Sequence, residues 1–146
     1  MSPSEQLESN KQIARDYIEQ VFNKHNPLAA RDFVTDDVVW HGGALGDLTG
    51  AENLTGLLTG FLGSLPDLYA AEQDVVAEND LVMVRLVVTA TVKGQLLGVP
   101  ADGRTVRWDA VDIYRVTDGR ISEEWAADDL VTIMTQLGAF TPPWAP

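Results

Sequence analysis

The chemistry open to this chain rests on carboxylates. It carries 22 Asp and Glu residues, no cysteine and only two histidines, His25 and His41. The most informative stretch lies near the C-terminus. Asp118-Gly119-Arg120-Ile121-Ser122-Glu123-Glu124-Trp125 leads through Ala126-Ala127 to Asp128-Asp129, then to an apolar run ending Gln136-Leu137-Gly138. That order reads as a turn, a strand and a helix with an acidic pair at the junction, where a carboxylate meets the mouth of any cavity the strands enclose. Asp128 is the better placed helix cap, because a carboxylate there accepts free backbone N–H groups. Asp129 is then turned back toward the sheet. Desolvation in an apolar pocket raises a carboxyl pKa toward neutrality, the condition for general acid/base work.

A second candidate lies in Arg107-Trp108-Asp109-Ala110-Val111-Asp112-Ile113-Tyr114. Period-2 alternation puts Trp108, Ala110, Asp112 and Tyr114 on one face of a strand, and a bulge would exchange the faces partway. Asp112 stands in surroundings too apolar for an idle surface acid. It pairs with a buried partner such as Arg85, or it lines a pocket. His41 follows Trp40 at a strand end beside Gly42-Gly43, either as a structural residue or as part of a site. Two distant histidines without HxH or HxxxH spacing, and no EF-hand loop, leave no metal-site pattern. No GxGxxG, Walker-type loop or GxSxG elbow occurs, which removes nucleotide-cofactor and serine-hydrolase readings.

Bulk properties narrow the field further. A formal charge of −12 opposes nucleic acid and anionic membrane surfaces, both of which are bound through clustered Lys and Arg. The absence of cysteine removes thiol chemistry and disulfides. The polar start, Met1 to Glu8, has no signal-peptide character, and no apolar run approaches membrane-span length, so a soluble, cytoplasmic protein is expected. A chain of 146 residues forms one domain, residues 1–146.

Helical patterning comes first along the chain. Ser4 is an expected N-cap for a helix with the stripe Ile13, Tyr17, Ile18, Val21 and Phe22. Pro27 opens a short second helix carrying Leu28, Phe33 and Val34. After a strand at Val38–His41, a third helix is expected over Gly50–Gly63, with Leu54, Leu57, Leu58, Phe61 and Leu62 on its buried side. Gly56 and Gly60 share a face of it, for close packing or for a ligand. Strands then dominate: Leu68–Ala77, Leu81–Val92, Val106–Val116 and Arg120–Ala126, with a glycine-rich hairpin connection over Gly94–Gly103. The Val- and Thr-rich Leu81–Val92 is expected to be central and covered on both faces. Leu130–Leu137 is the last helix. Helices followed by antiparallel strands imply an α+β fold, with helices against one curved sheet and a pocket between them.

Taken together, these pieces resemble the SnoaL-like polyketide cyclases, within the group sharing the fold of nuclear transport factor 2 and ketosteroid isomerase. The resemblance is carried by Val38-Val39-Trp40-His41, Leu65-Pro66-Asp67-Leu68, Gly94 to Pro100, Asp112-Ile113-Tyr114-Arg115, Asp118-Gly119-Arg120-Ile121, and Trp125 to Asp129 with Gln136-Leu137-Gly138. It implies a cone-shaped barrel of strongly curved, mostly antiparallel sheet closed by the N-terminal helices, and a homodimer. It also implies aldol ring closure of an anthracycline-type aromatic polyketide without metal or cofactor. Asp129 would be the acid/base, Asp112 and His41 would orient substrate oxygens, and Trp108 and Trp125 would supply flat walls. The sequence departs from the family pattern at Val92 and Asp112, where the cyclases tend to carry histidines. Relatives in the family that hydroxylate similar rings, and non-catalytic ligand-binding relatives, are the alternatives. The Arg-x-Asp of the related limonene epoxide hydrolases has no match, since Arg85-Leu86-Val87 ends in valine.

Overall fold

The first helix starts two residues earlier than its apolar stripe requires, because Ser2 rather than Ser4 supplies the cap. The Ser2 Oγ accepts the Glu5 N–H (3.2 Å), and the Glu5 carboxylate accepts the Ser2 N–H (3.2 Å). This reciprocal capping box, with Pro3 at the first helical position, sets α1 at Pro3–Tyr17. The computed structural model, which describes residues 1–146, continues α1 into a π-helical turn over Ile18–Asn23. The wider turn re-aims the side chains that follow, and Phe22 there reaches a cavity described below. Asn23 then pins the helix end to the sheet. Its side-chain amide donates to the Ala70 carbonyl (3.1 Å) and its Oδ1 accepts the Ala70 N–H (2.8 Å).

A 3-10 turn over Pro27–Asp32 leads into β1 (Val34–His41), which is longer than its apolar end suggested. Then come β2 (Asp47–Thr49), α2 (Ala51–Gly63), β3 (Tyr69–Glu78) and β4 (Leu81–Thr91). A small hairpin, β5 (Gln95–Leu96) with β6 (Val99–Pro100), occupies the glycine-rich connection. The long β7 (Thr105–Thr117) and β8 (Arg120–Asp128) follow, and α3 (Leu130–Gln136) closes the chain.

Six strands pair in the order β2-β1-β8-β7-β4-β3. All neighbours are antiparallel except β1 and β8, which run parallel, so the fold is α+β on a mixed sheet. The ladder has edges at β2 and β3, and only one of its five strand pairs departs from the mostly antiparallel sheet that the family resemblance implied. Helix α1 packs across β3, β4 and β8, α2 packs on β1, and α3 packs on β7. The core lies between α1 and the sheet's inner face, where Ala14, Tyr17 and Val21 are buried along with Val82, Val84, Tyr114 and Ile121. The expectation that the β4 segment is covered on both faces does not hold. Its inner residues Val82, Val84, Leu86 and Val88 are buried, while Met83 and Arg85 are exposed. Branched residues on the open face gave it the look of a two-sided strand. No helix is long and apolar enough to cross a membrane.

Candidate functional site

Between the inner face of the sheet and α2 lies a cavity of about 490 Å3, within the usual range for small-molecule sites. Its walls are largely apolar. Trp40 comes from β1, Phe61 from α2, Leu86 and Val88 from β4, and Trp108 from β7, with Leu96 and Leu97 of the small hairpin at one side. The Phe61 and Trp108 rings meet edge to face, 6.3 Å between centroids. Gly42 is required by space alone, since a Cβ there would overlap the Trp40 indole.

The two α2 glycines open onto this cavity. A Cβ on Gly56 or Gly60 would meet no atom within 4 Å, so close packing does not account for either. Each costs α2 roughly 1 kcal/mol against alanine, and what is gained is volume. Gly56→Ala is therefore expected to raise the melting temperature, whereas Gly60→Leu should fill the cavity and abolish binding of any ring-sized ligand. Calorimetric melting together with ligand titration checks both; unimpaired binding by Gly60→Leu would show that the ligand sits elsewhere.

Three carboxyl groups enter this apolar space: Asp112, Glu124 and Asp128. Strand register explains how. Asp112 alternates with Trp108, Ala110 and Tyr114 on the inner face of β7, as its period suggested. On β8, a bulge makes Ser122 an extra residue between Arg115↔Glu123 and Val116↔Ile121. The bulge exchanges the faces, so Ile121 and Glu124 both point inward. Beyond it, period 2 carries Glu124, Ala126 and Asp128 to the cavity, opposite Tyr114, Asp112 and Ala110 respectively. The strand runs two residues further than the Arg120–Ala126 expectation. That extension decides the roles of the acidic pair.

The structure exchanges the places of the two residues. Asp129 is exposed and is the N-cap of α3, its carboxylate accepting the Thr132 N–H (3.1 Å) and the Thr132 hydroxyl (2.7 Å). Asp128, the expected cap, instead faces the cavity, where its Oδ1 accepts the Trp108 indole N–H at 2.7 Å. Asp112 does not pair with Arg85. Arg85 lies on the outer face of the sheet bound to Asp74 (2.7 Å), while the Asp112 carboxyl accepts the Tyr114 hydroxyl at 3.2 Å.

His41 and Trp125 also lie on the outer face, because β1 and β8 put Trp40 and Glu124 inward and their neighbours outward. The His41 Nε2 and the Glu123 carboxylate are 2.7 Å apart, and the Nδ1 is 3.3 Å from Asp47. Hydrogen bonding to Glu123 raises the His41 pKa, with Asp47 adding to it, and lowers that of Glu123. The imidazole stacks on Trp125, 5.3 Å between centroids, and the Arg115 guanidinium lies 5.7 Å from the Trp125 ring. Of the residues singled out in the sequence, Trp108 and Asp112 therefore line the cavity. Asp129, His41, Trp125 and Arg85 do not. Glu124 carried no local signal, being one of two adjacent glutamates whose faces depend on the bulge.

No Lys, Arg or His lines the cavity, so its carboxyl groups face one another without a counter-charge. Burial, reinforced by the charge of Asp128, pushes the Asp112 pKa up to about 8. Burial raises Glu124 well above the usual carboxylate range, with Asp112 and Asp128 adding to it. Asp128 is raised by burial but held back by the Trp108 hydrogen bond, which favours its anion. The three groups are not placed to hold a metal ion. The arrangement is three carboxyl groups in a mostly apolar chamber, Asp112 and Glu124 raised by burial and neighbouring charge and Asp128 by burial alone. Environments that separate carboxyl pKa values in this way assign a base and an acid.

Comparison with known proteins agrees with this architecture. The SnoaL-like polyketide cyclase family profile matches residues 12–137. Among solved structures, AclR of Streptomyces galilaeus, provisionally designated a hydroxylase, superposes with a TM-score of 0.82 at 24% identity, covering 92% of this chain and 99% of its own. IdmH of Streptomyces antibioticus, provisionally designated a polyketide cyclase, gives 0.72 at 30% identity, with 94% and 99% covered. An epoxide hydrolase of M. tuberculosis, similar to limonene epoxide hydrolases, gives 0.72 at 13% identity, covering 90% and 91%, which is a likeness of fold. A search of curated proteins finds no match. A profile that runs from α1 to the last helix, over the same sheet and cavity, settles the family: the chain belongs to the SnoaL-like polyketide cyclases.

Proposed function

We propose that this protein is a cofactor-independent acid/base enzyme that closes a ring of an aromatic, anthracycline-type polyketide by an intramolecular aldol reaction. The observation that carries the reading is the pairing of a raised but hydrogen-bonded Asp128 with a strongly raised Asp112 on one mostly apolar wall. Asp128, as the carboxylate, takes a proton from a carbon flanked by carbonyl groups. The aromatic substrate delocalises the resulting enolate, whose carbon bonds to the aldehyde carbon. The aldehyde oxygen then receives a proton from the carboxylic acid of Asp112. A proton passing from Asp128 back to Asp112, directly or through water, restores the starting state. Asp128 thus takes the part that the family resemblance gave to Asp129. Trp40, Phe61 and Trp108 supply flat surfaces for fused rings, and the small hairpin covers one side.

A second reading, hydroxylation of a similar ring, is favoured by one specific observation. Val92 and Asp112 stand where the cyclases tend to have histidines, and the hydroxylase designation of AclR belongs to a protein of the same fold. That reaction consumes dioxygen and needs a reductant supplied by a partner. Mass spectrometry separates the two after the purified protein is incubated with an anthraquinone-type polyketide ester, with and without air and reductant. A new product of unchanged mass is expected for ring closure. A product heavier by one oxygen atom establishes hydroxylation instead, and binding without any product leaves a ligand-binding protein.

A further inference from the structure

Glu124 is the buried carboxyl group that the acid/base reading leaves unused. It is 3% exposed, the most deeply buried of the three, and it lines the cavity. Its Oε1 has no hydrogen-bond partner. Of the hydroxyl groups around it, that of Tyr114 is engaged elsewhere and that of Tyr17 is not, and neither bonds to it. Tyr114, directly opposite on β7, already donates its hydroxyl to Asp112. Tyr17 of α1 lies edge-on to Tyr114, 5.7 Å between centroids, and its hydroxyl is fully buried and likewise unpartnered. Asp112 and Asp128 complete the set of titratable groups facing this end of the cavity, and none of them is cationic.

A buried polar atom without a partner costs about 1–3 kcal/mol, so native proteins rarely keep one unless something binds there. The chemistry of the site says what that is. Burial, with the neighbouring Asp112 and Asp128 adding to it, favours the neutral form of Glu124, which offers one O–H donor. A donor in an apolar chamber calls for an acceptor on the ligand. Carboxylate or phosphate acceptors are disfavoured by the carboxyl groups and the lack of any cation in the lining. A hydrocarbon leaves the donor unpaired. What remains is a neutral carbonyl or phenolic oxygen on a ring system.

We propose that the Glu124 carboxyl group donates a hydrogen bond to a carbonyl or phenolic oxygen of a ligand in the cavity, selecting oxygenated rings over hydrocarbons of the same shape. The proposal rests on the acid/base reading only in taking this cavity as the ligand's seat. Glu124 is a specificity residue here and takes no part in the proton transfers given to Asp128 and Asp112.

The test compares binding of 9,10-anthraquinone and anthracene, two planar tricycles of which only the first carries oxygen. Tryptophan quenching reports both, since Trp40 and Trp108 line the cavity. The wild type is expected to prefer the quinone. Glu124→Leu should erase about tenfold of that preference, the equivalent of one lost buried hydrogen bond. Glu124→Gln keeps an N–H donor and should hold the preference within about threefold. The wild-type preference should also decline as pH rises and Glu124 ionises, while that of Glu124→Gln stays level. Should the leucine variant fail to fold, this pH comparison alone decides. A preference unchanged in Glu124→Leu, or one that declines equally with pH in wild type and Glu124→Gln, overturns the proposal. Turnover by Asp128→Asn, assayed in parallel, tests the acid/base reading separately: if it survives, that reading falls while the selectivity result keeps its meaning.

Discussion

Asp128→Asn is expected to lower kcat by about 10²–10⁴-fold, the range for loss of a positioned general base, while ligand affinity should stay within about threefold. The substitution is clean for a structural reason. An asparagine Oδ1 can still accept the Trp108 indole N–H that Asp128 accepts at 2.7 Å, so the side chain and the Trp108 wall keep their places. Only basicity is lost. Asp129→Asn is the matched control. Its carboxylate binds its own helix through Thr132, and asparagine is an equally good cap, so stability should change by well under about 1 kcal/mol and turnover hardly at all. Steady-state kinetics with a separate binding titration checks the pair. Full turnover by Asp128→Asn, or its loss in Asp129→Asn alone, returns the acid/base role to Asp129.

Asp112→Asn is expected to stabilise the protein at alkaline pH and to leave it nearly unchanged in mild acid. The sign follows from linkage. Burial and the Asp128 charge raise the folded pKa of Asp112 to about 8, whereas an unfolded aspartate titrates near the ordinary value of about 3.9. The folded state therefore holds this proton more tightly. The stability associated with that proton is fully present below about pH 4 and is lost as pH climbs through about 8. Asparagine mimics the neutral acid, can still accept the Tyr114 hydroxyl, and never ionises. Melting temperatures near pH 4 should be close for the two proteins. At pH 9 the variant should melt roughly 5 °C or more above wild type, as follows from a gain of a few kcal/mol in a domain of this size. Equal differences at both pH values would mean that Asp112 is already ionised in the folded state. The same titration should shape activity: with Asp112 as the acid, wild-type kcat/KM is expected to fall above about pH 8, and Asp112→Asn to lose turnover across the range.

The sequence by itself determined a good part of this protein. The stripe from Ile13 to Phe22, the proline opening the short helix at Pro27, the Asp118-Gly119 turn and the long strands were all legible. These features are written in local periodicity and turn chemistry, which need no distant partner. Trp108 and Asp112 were legible as residues sharing a strand face for the same reason, and the motif order pointed to the family.

Only the tertiary structure decided which carboxyl groups meet. Alternation says that neighbours point opposite ways, but which way is inward depends on the strand alongside. The extra residue at Ser122 is defined only by its pairing with β7, and it brought Glu124 inside and left Trp125 outside with His41. The end of β8 is likewise set by its partner. Ala110 pairs with Asp128, and the next backbone N–H, that of Asp129, still reaches the Asp109 carbonyl (3.1 Å), so Asp128 stays in the sheet and Asp129 is left to cap α3. Gly56 and Gly60 fit the same pattern. Their missing side chains are visible in the sequence, but whether they face a neighbour or a cavity depends on what stands across from the helix. A carboxyl group's proton affinity follows from that same enclosure, because desolvation by residues far apart in the chain raised Asp112, Glu124 and Asp128 together.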